Sequence, residues 1–241
     1  MDTTLIWIQL AALITGFSKF SVGGMGMLIL PVMMIAYPGP EVMGIIIPMY
    51  LITDLMVVLM YNKEINWPVL RKLMLLVSTG MLLGAWVLAE VDTSQFQVLI
   101  SFTLIGLIAF NIWGEKKAKG PVASPLTSHT TGVFSGFIGM AACAGGPFIS
   151  LYLMNQNLNK NAYISTRAWL FLLFDLAKVP LLIYLGFLNL ETAALSLQAI
   201  PGIQVGAVLG CWTLSKLKFS QFKWLIRIIS AIAAIKLLFW S

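Results

Sequence analysis

Two stretches decide how this chain folds: Gly16-Phe17-Ser18-Lys19-Phe20-Ser21-Val22-Gly23-Gly24-Met25-Gly26, and later Gly136-Phe137-Ile138-Gly139-Met140-Ala141-Ala142-Cys143-Ala144-Gly145-Gly146-Pro147. Each lies inside a long apolar segment, 4–36 and 126–154, and breaks it near its middle. A straight helix crosses a bilayer core in roughly 20 residues, so neither segment needs its full length to span. A hairpin that dips into the bilayer and returns on the same side does use it, with two half-helices meeting at a glycine-rich tip. Non-helical backbone at that depth is tolerated only where protein or a wet cavity surrounds it.

The rest of the chain fits a membrane setting. Of its 241 residues, 59% are hydrophobic and only 10% charged, against roughly 25% charged in a soluble domain; mean hydropathy is +0.92. This excludes a soluble enzyme, a disulfide-stapled secreted domain and a disordered scaffold. Eight apolar segments, 4–36, 44–61, 69–89, 96–113, 126–154, 163–184, 191–213 and 222–240, take up nearly everything. No catalytic or nucleic-acid-binding domain fits between them. The start Met1-Asp2-Thr3-Thr4 lacks the basic n-region of a cleavable signal peptide. Cys143 and Cys211 have no CxxC partner, and a lone His129 cannot build a metal site. The expectation is therefore no disulfide, no metal, no cofactor and no enzymatic activity. Met and Phe stripes read as packing or lipid-facing surface.

The linker 114–125, with Glu115, Lys116, Lys117 and Lys119, is the only strongly polar break, and it divides the chain into halves 1–113 and 126–241. The halves are alike. Gly16-Phe17 aligns with Gly136-Phe137, Asp54-Leu55 with Asp175-Leu176, Gly80-x-x-x-Gly84-Ala85 with Gly202-x-x-x-Gly206-Ala207, and Ser94-Gln95-Phe96 with Ser220-Gln221-Phe222. The offset drifts only from 120 to 126. The chain is read as an internal duplication.

Charge sets its orientation. With segments 1 and 5 re-entrant, one side receives Lys63, Arg71, Lys72, Lys116, Lys117, Lys119, Lys160, Lys216, Lys218 and Lys223. The other side receives no Lys or Arg, but holds Asp2, Glu41, Glu90, Asp92 and Glu191. That is a clean positive-inside pattern; if all eight segments span, it falls to six basic residues against four. The net charge of +6 thus records topology rather than nucleic-acid binding. A hairpin plus three spans per half makes the repeats inverted. The expected fold is an all-α polytopic membrane protein of two inverted-topology repeats, each a broken re-entrant hairpin plus three transmembrane helices, with both termini outside. Gly80-x-x-x-Gly84 and Gly202-x-x-x-Gly206 are close-packing motifs, serving either within one chain or across a homodimer.

Paired broken helices are a recurring transporter plan, with the site where the breaks meet. From Met27 to Tyr37 the chain has about 11 residues, or about 16 Å of helix, which reaches half-way across the core. The partner half-helix starts at Gly145-Gly146-Pro147, with Pro147 expected at the first helical position. Each tip would aim unpaired N–H groups at an anion, and the glycines would let that anion approach the backbone. Gly23, Gly24, Gly26, Gly145 and Gly146 are therefore candidate anion contacts, with Ser21 and Cys143 beside them. Lys19, one turn before the first break, is costly at membrane depth unless it faces a cavity or a partner; snorkelling to a surface is the rival. The fork of Arg167 suits an oxyanion, with an interfacial anchor as the equal alternative. Arg227 and Lys236 read as snorkelling residues. Asp54 and Asp175 are symmetry-related acids near the middle of their helices, and candidate coupling or proton-carrying groups. Asp175 has Lys178 three residues on to neutralise it, while Asp54 would carry protons or pair with Lys19.

The glycine-rich breaks, with Tyr61-x-x-x-Ile65-x-Trp67 after the second segment and Tyr184-x-Gly186 after the sixth, resemble the TauE/SafE family of prokaryotic membrane proteins. These are the sulfite exporters, or toluene sulfonate uptake permeases. The chain departs from the family pattern at Met25, set between glycines, and at Leu190, where an aromatic residue is frequent. The resemblance implies a multi-pass protein of the cytoplasmic membrane that transports sulfur oxyanions or organosulfonates, such as sulfite or sulfoacetate, often outward. An anion channel of the same architecture is the alternative. A non-transporting membrane enzyme or assembly factor is the third reading, disfavoured because His129, Cys143 and Cys211 lack catalytic partners.

Overall fold

The computed structural model of the chain describes residues 3–21, 25–117, 125–154, 156 and 158–216, and every regular element among them is helical. Helix α1 is Thr3–Phe20; a 3-10 turn Met25–Leu28 leads into α2, Ile29–Met33. A second 3-10 turn, Pro40–Val42, leads into α3, Met43–Met60, followed by α4, Trp67–Glu90, and α5, Thr93–Lys117. The second half holds α6 (Pro125–Ala141), α7 (Gly146–Met154), α8 (Lys160–Tyr184), α9 (Leu190–Leu197) and α10 (Ile200–Lys216).

Local chemistry sets several of these boundaries. The Asn66 side chain caps α4 by accepting from the Val69 N–H at 3.1 Å, and the Asn159 side chain caps α8 by accepting from the Ala162 N–H at 2.7 Å. Both satisfy N–H groups that a helix start leaves orphaned. At Asn189 the side chain of Thr192 returns the bond, closing a capping box that starts α9. The segment 191–213, expected as a single span, is bent by 47° between α9 and α10. Pro201, in the first turn of α10, has no N–H and crowds the carbonyl four residues back, that of Leu197, the last residue of α9. Conversely α5 runs on through Lys117, into the expected linker, because Glu115, Lys116 and Lys117 are good helix formers. Residues 118–124 and the last expected segment 222–240, with Arg227 and Lys236, lie outside the described residues.

Among the described residues α1, the run Pro40–Met60 and α4 are long and apolar enough to cross a membrane, and α9 with α10 make a fourth such span if taken together. The 21 residues of Pro40–Met60 cover about 32 Å, matching a hydrocarbon core of about 30 Å. Helix α8, with 25 residues, is longer still but carries Arg167, Asp175 and Lys178. Asp175 and Lys178 are only 1% and 2% exposed, so those charges face the protein interior.

Glycines set the packing. Helix α1 lies along α10: a Cβ on Gly16 would strike the Ile203 carbonyl, and one on Gly206 the Leu13 carbonyl. Helix α6 lies along α4 in the same way, with Gly136 against the Val77 carbonyl and Gly80 against that of Val133. The glycine motifs thus close contacts within one chain. Gly202 meets Gln9, Gly206 meets Leu13 and Gly210 meets Phe17, so α1 and α10 run parallel. Gly80 and Gly84 meet Val133 and Phe137, so α4 and α6 also run parallel. Helices α3 and α8 run antiparallel. Gly44 near the start of α3 sits against Phe187, just past the end of α8, while Asn66, at the far end of the loop that follows α3, donates its N–H to Thr166 Oγ1, near the start of α8, at 2.9 Å.

Candidate functional site

The centre of this packing is charged. From α1, the Nζ of Lys19 donates to Asp54 Oδ1 of α3 at 2.6 Å and lies 3.4 Å from Asp175 Oδ2 of α8. Lys178, one turn beyond Asp175, donates to its other oxygen at 2.7 Å. Aromatic faces complete the enclosure: Lys19 Nζ is 4.6 Å from the ring centres of both Tyr50 and Phe171, and Lys178 Nζ is 4.1 Å from that of Phe174. Such cation–π contacts hold an ammonium group without neutralising it. Lys19 therefore turns inward to a partner, and Asp54 is that partner.

Two cavities meet at this cluster. The smaller, about 50 Å³, lies between the two chain breaks and is walled by Gly26 and Met27 on one side and Cys143 to Pro147 on the other. Lys19, Arg167, Asp175 and Lys178 close it. The larger, about 380 Å³, is lined by Lys19, Ser21, Asp54 and Arg167 and extends to Tyr61 and Tyr163. Those tyrosines stand at the end of α3 and the start of α8, near Lys63 in the loop after α3 and Lys160, the first residue of α8. Lys19, Arg167 and Phe171 border both cavities.

Arg167 is the cation left over. Among the described residues it has no carboxylate partner; its guanidinium carbon sits 5.3 Å from the Phe171 ring centre, and its Nε is buried without a hydrogen bond. Among the described residues three cations, Lys19, Arg167 and Lys178, stand against two carboxylates, Asp54 and Asp175, so the cavity walls hold a formal excess of one positive charge. Asp54 Oδ2, Ser21 Oγ and Tyr50 Oη are also buried without hydrogen-bond partners among the described residues.

The breaks differ from expectation in detail. After the first, the backbone takes a 3-10 turn before a single α-helical stretch of five residues, so the second leg of that hairpin ends at Met33. Only the second break leads straight into an α-helix, the nine-residue α7, which begins one residue before Pro147. Pro147 is then its second residue, where the N–H is equally unused. Cys143, two residues past the end of α6, lies in the left-handed region at φ 53°, uncommon for a residue with a Cβ; its thiol turns to Met43 Sδ at 3.2 Å. Gly145 permits close packing of the break on α6, since a Cβ there would strike the Ser135 carbonyl and lie 3.1 Å from Gly139 Cα. Gly26 and Gly146 have room: a Cβ would come no nearer than 3.8 Å to Ser18 Oγ and 3.7 Å to the Phe171 ring, respectively. Gly23 and Gly24 lie outside the described residues.

Sequence reasoning singled out Lys19, Asp54, Arg167 and Asp175, and the structure brings these four together. It did not give Tyr50, Phe171 or Phe174 a place beside them. A signal was present: Arg167, Phe171, Asp175 and Lys178 recur at three- and four-residue spacing, which places them in one stripe on α8. Tyr50 precedes Asp54 by one turn on α3.

Apolar helices packed through glycine faces around a buried charged cavity define a multi-pass α-helical membrane protein with an interior polar site. The comparison of family profiles names the group: the profile of "Sulfite exporter TauE/SafE" matches residues 8–237, nearly the whole chain. The chain belongs to the TauE/SafE sulfite exporter family, a family of membrane transporters and not of enzymes. No curated protein and no solved structure matches it.

Proposed function

We propose that this chain is a secondary transporter of a small anion, a sulfur oxyanion or organosulfonate such as sulfite or sulfoacetate, which it exports by alternating access. The single observation that carries this reading is the uncompensated positive charge at Arg167. A half-buried charge without a carboxylate partner is unfavourable, and an anion seated between Arg167 and Lys19 supplies that partner. The start of α7, at Gly146 and Pro147, lines the same small cavity, and the positive end of its dipole favours the same charge. The short α2 contributes less, because its few aligned peptides carry little dipole.

The architecture proposed with it is two inverted repeats, 1–113 and 126–241, joined by the basic linker. Each is a broken re-entrant hairpin followed by three transmembrane helices. The antiparallel run of α3 and α8 supports this, because equivalent helices of inverted repeats point in opposite directions. So does the exchange of glycine contacts, α1 with α10 and α6 with α4. The positive-inside charge pattern supports a reading in which the protein sits in a prokaryotic cytoplasmic membrane with both termini outside and the larger cavity toward the cytoplasm. Of the two acids, Asp54 suits coupling better, since Asp175 is held by two lysines.

An inside-negative potential drives an anion outward by about 2.3 kcal/mol per charge per 100 mV. Proteoliposomes loaded with labelled sulfite or sulfoacetate test the reading. The expected result is saturable efflux, faster under an inside-negative potential and exchangeable against external anion. Failure to move any sulfur oxyanion would overturn it, and a large unsaturating current would identify a channel.

A further inference from the structure

We propose that anion binding and proton binding are linked through Lys19: the arriving anion takes over the Lys19 ammonium group, and Asp54, left behind, takes up one proton from water. This rests on the anion-transport reading above. Lys19 lines the small cavity where the anion would sit, yet its closest partner, Asp54, lies on the wall of the larger one. An anion in the small cavity therefore competes with Asp54 for the same Nζ.

The two carboxylates are not equally exposed to that competition. Asp175 keeps Lys178 at 2.7 Å when Lys19 moves away. Among the described residues Asp54 has no second cation: its Oδ1 is held at 2.6 Å by Lys19, and its Oδ2 is buried without a hydrogen bond. A buried carboxylate deprived of its only cation is neutralised by a proton rather than left charged. Among the described residues the charged and titratable groups around Asp54 are Tyr50 one turn back on α3, Lys19 from α1, Asp175 with its partner Lys178 and Arg167 from α8, and Tyr61 and Tyr163 at the cavity mouth. Glu191 of α9 and Glu41 are exposed and lie by the opposite end of α3. None of these replaces Lys19. The proton enters from water through the larger cavity and returns to water when the anion leaves.

One consequence is electrical. The loaded site carries one negative charge fewer than the anion alone, so the membrane potential acts on a dianion as a monoanion and has no hold on a monoanion.

The test uses full-length protein in nanodiscs in weak buffer. Sodium methanesulfonate serves as probe, because the anion of a strong acid exchanges no proton near neutral pH. Expected are uptake of about one proton per anion bound and an affinity that tightens about tenfold per pH unit of acidification, by reciprocity of the two bindings. Asp54→Asn should bind the probe with neither effect. Binding without proton uptake, or an unchanged pH slope in Asp54→Asn, would overturn the linkage while leaving anion transport intact. If neither methanesulfonate nor sulfite binds at any pH, the transport reading fails and the linkage with it. Should the variant not fold, the proton count and pH slope of the wild-type protein decide alone.

Discussion

Lys19 on α1 and Asp54 on α3, 35 residues apart in sequence, meet with Nζ and Oδ1 2.6 Å apart, and the pair joins the first chain break to the body of the protein. Removing one partner strands the other. Lys19→Met leaves Asp54, 1% exposed, without its cation, and should lower stability by about 3–5 kcal/mol. Lys19→Met combined with Asp54→Asn removes both charges and should recover most of that loss. Denaturation of the two single variants and the double variant in detergent measures the coupling; strictly additive losses would show that the ion pair is not the interaction lost.

Arg167 should behave in the opposite sense. Without it the remaining two lysines and two aspartates balance, so Arg167→Gln should fold at least as well as the wild type. Its anion affinity should fall roughly 10- to 100-fold, the value of a charge-assisted hydrogen bond. Arg167→Lys keeps the charge but not the fork and should fall between. Equilibrium binding of sulfite beside thermal unfolding separates the two effects, and a variant that loses stability in step with affinity would make Arg167 structural.

Neighbouring glycines at the second break should fail differently. Gly145→Ala forces a Cβ into the Ser135 carbonyl and should cost about 1–3 kcal/mol of stability. Gly146→Ala meets only the Phe171 ring at 3.7 Å, so it should fold normally while narrowing the small cavity and weakening anion binding. Comparing unfolding and transport for both variants checks the assignment, which would be reversed if Gly146→Ala proved the less stable.

Glu64 offers a prediction outside the membrane. Its carboxylate accepts from Asn161 at 3.1 Å and Asn159 at 2.9 Å, and these amides, Asn161 foremost, hold it below the usual carboxylate range. A carboxyl group depressed in the folded state adds stability above its unfolded value, about 4.3, and loses it as pH falls through the lower folded value. Glu64→Gln should therefore melt below the wild type at pH 6, with the gap closing on acidification. A gap independent of pH would show that shape and not charge holds this loop on α8.

What the sequence determined by itself was set by quantities that add up locally. Apolar content and the one-sided distribution of Lys and Arg depend on each residue's own transfer from water, so the membrane setting could be read without any contact. The breaks were legible because glycine clusters interrupt otherwise continuous apolar segments. The 47° bend between α9 and α10 was missed although Pro201 marks it, because a proline near a helix start commonly causes no break at all. Only the tertiary structure decided which charges pair. Lys19 could have snorkelled, Asp54 could have stood alone, and Arg167 could have anchored at the surface; each choice depends on helices that approach from both halves of the chain. The glycine faces on α1, α4, α6 and α10 set that approach by letting backbones touch. The leftover charge at Arg167 appears only once Lys19, Asp54, Asp175 and Lys178 have been placed around the same cavities.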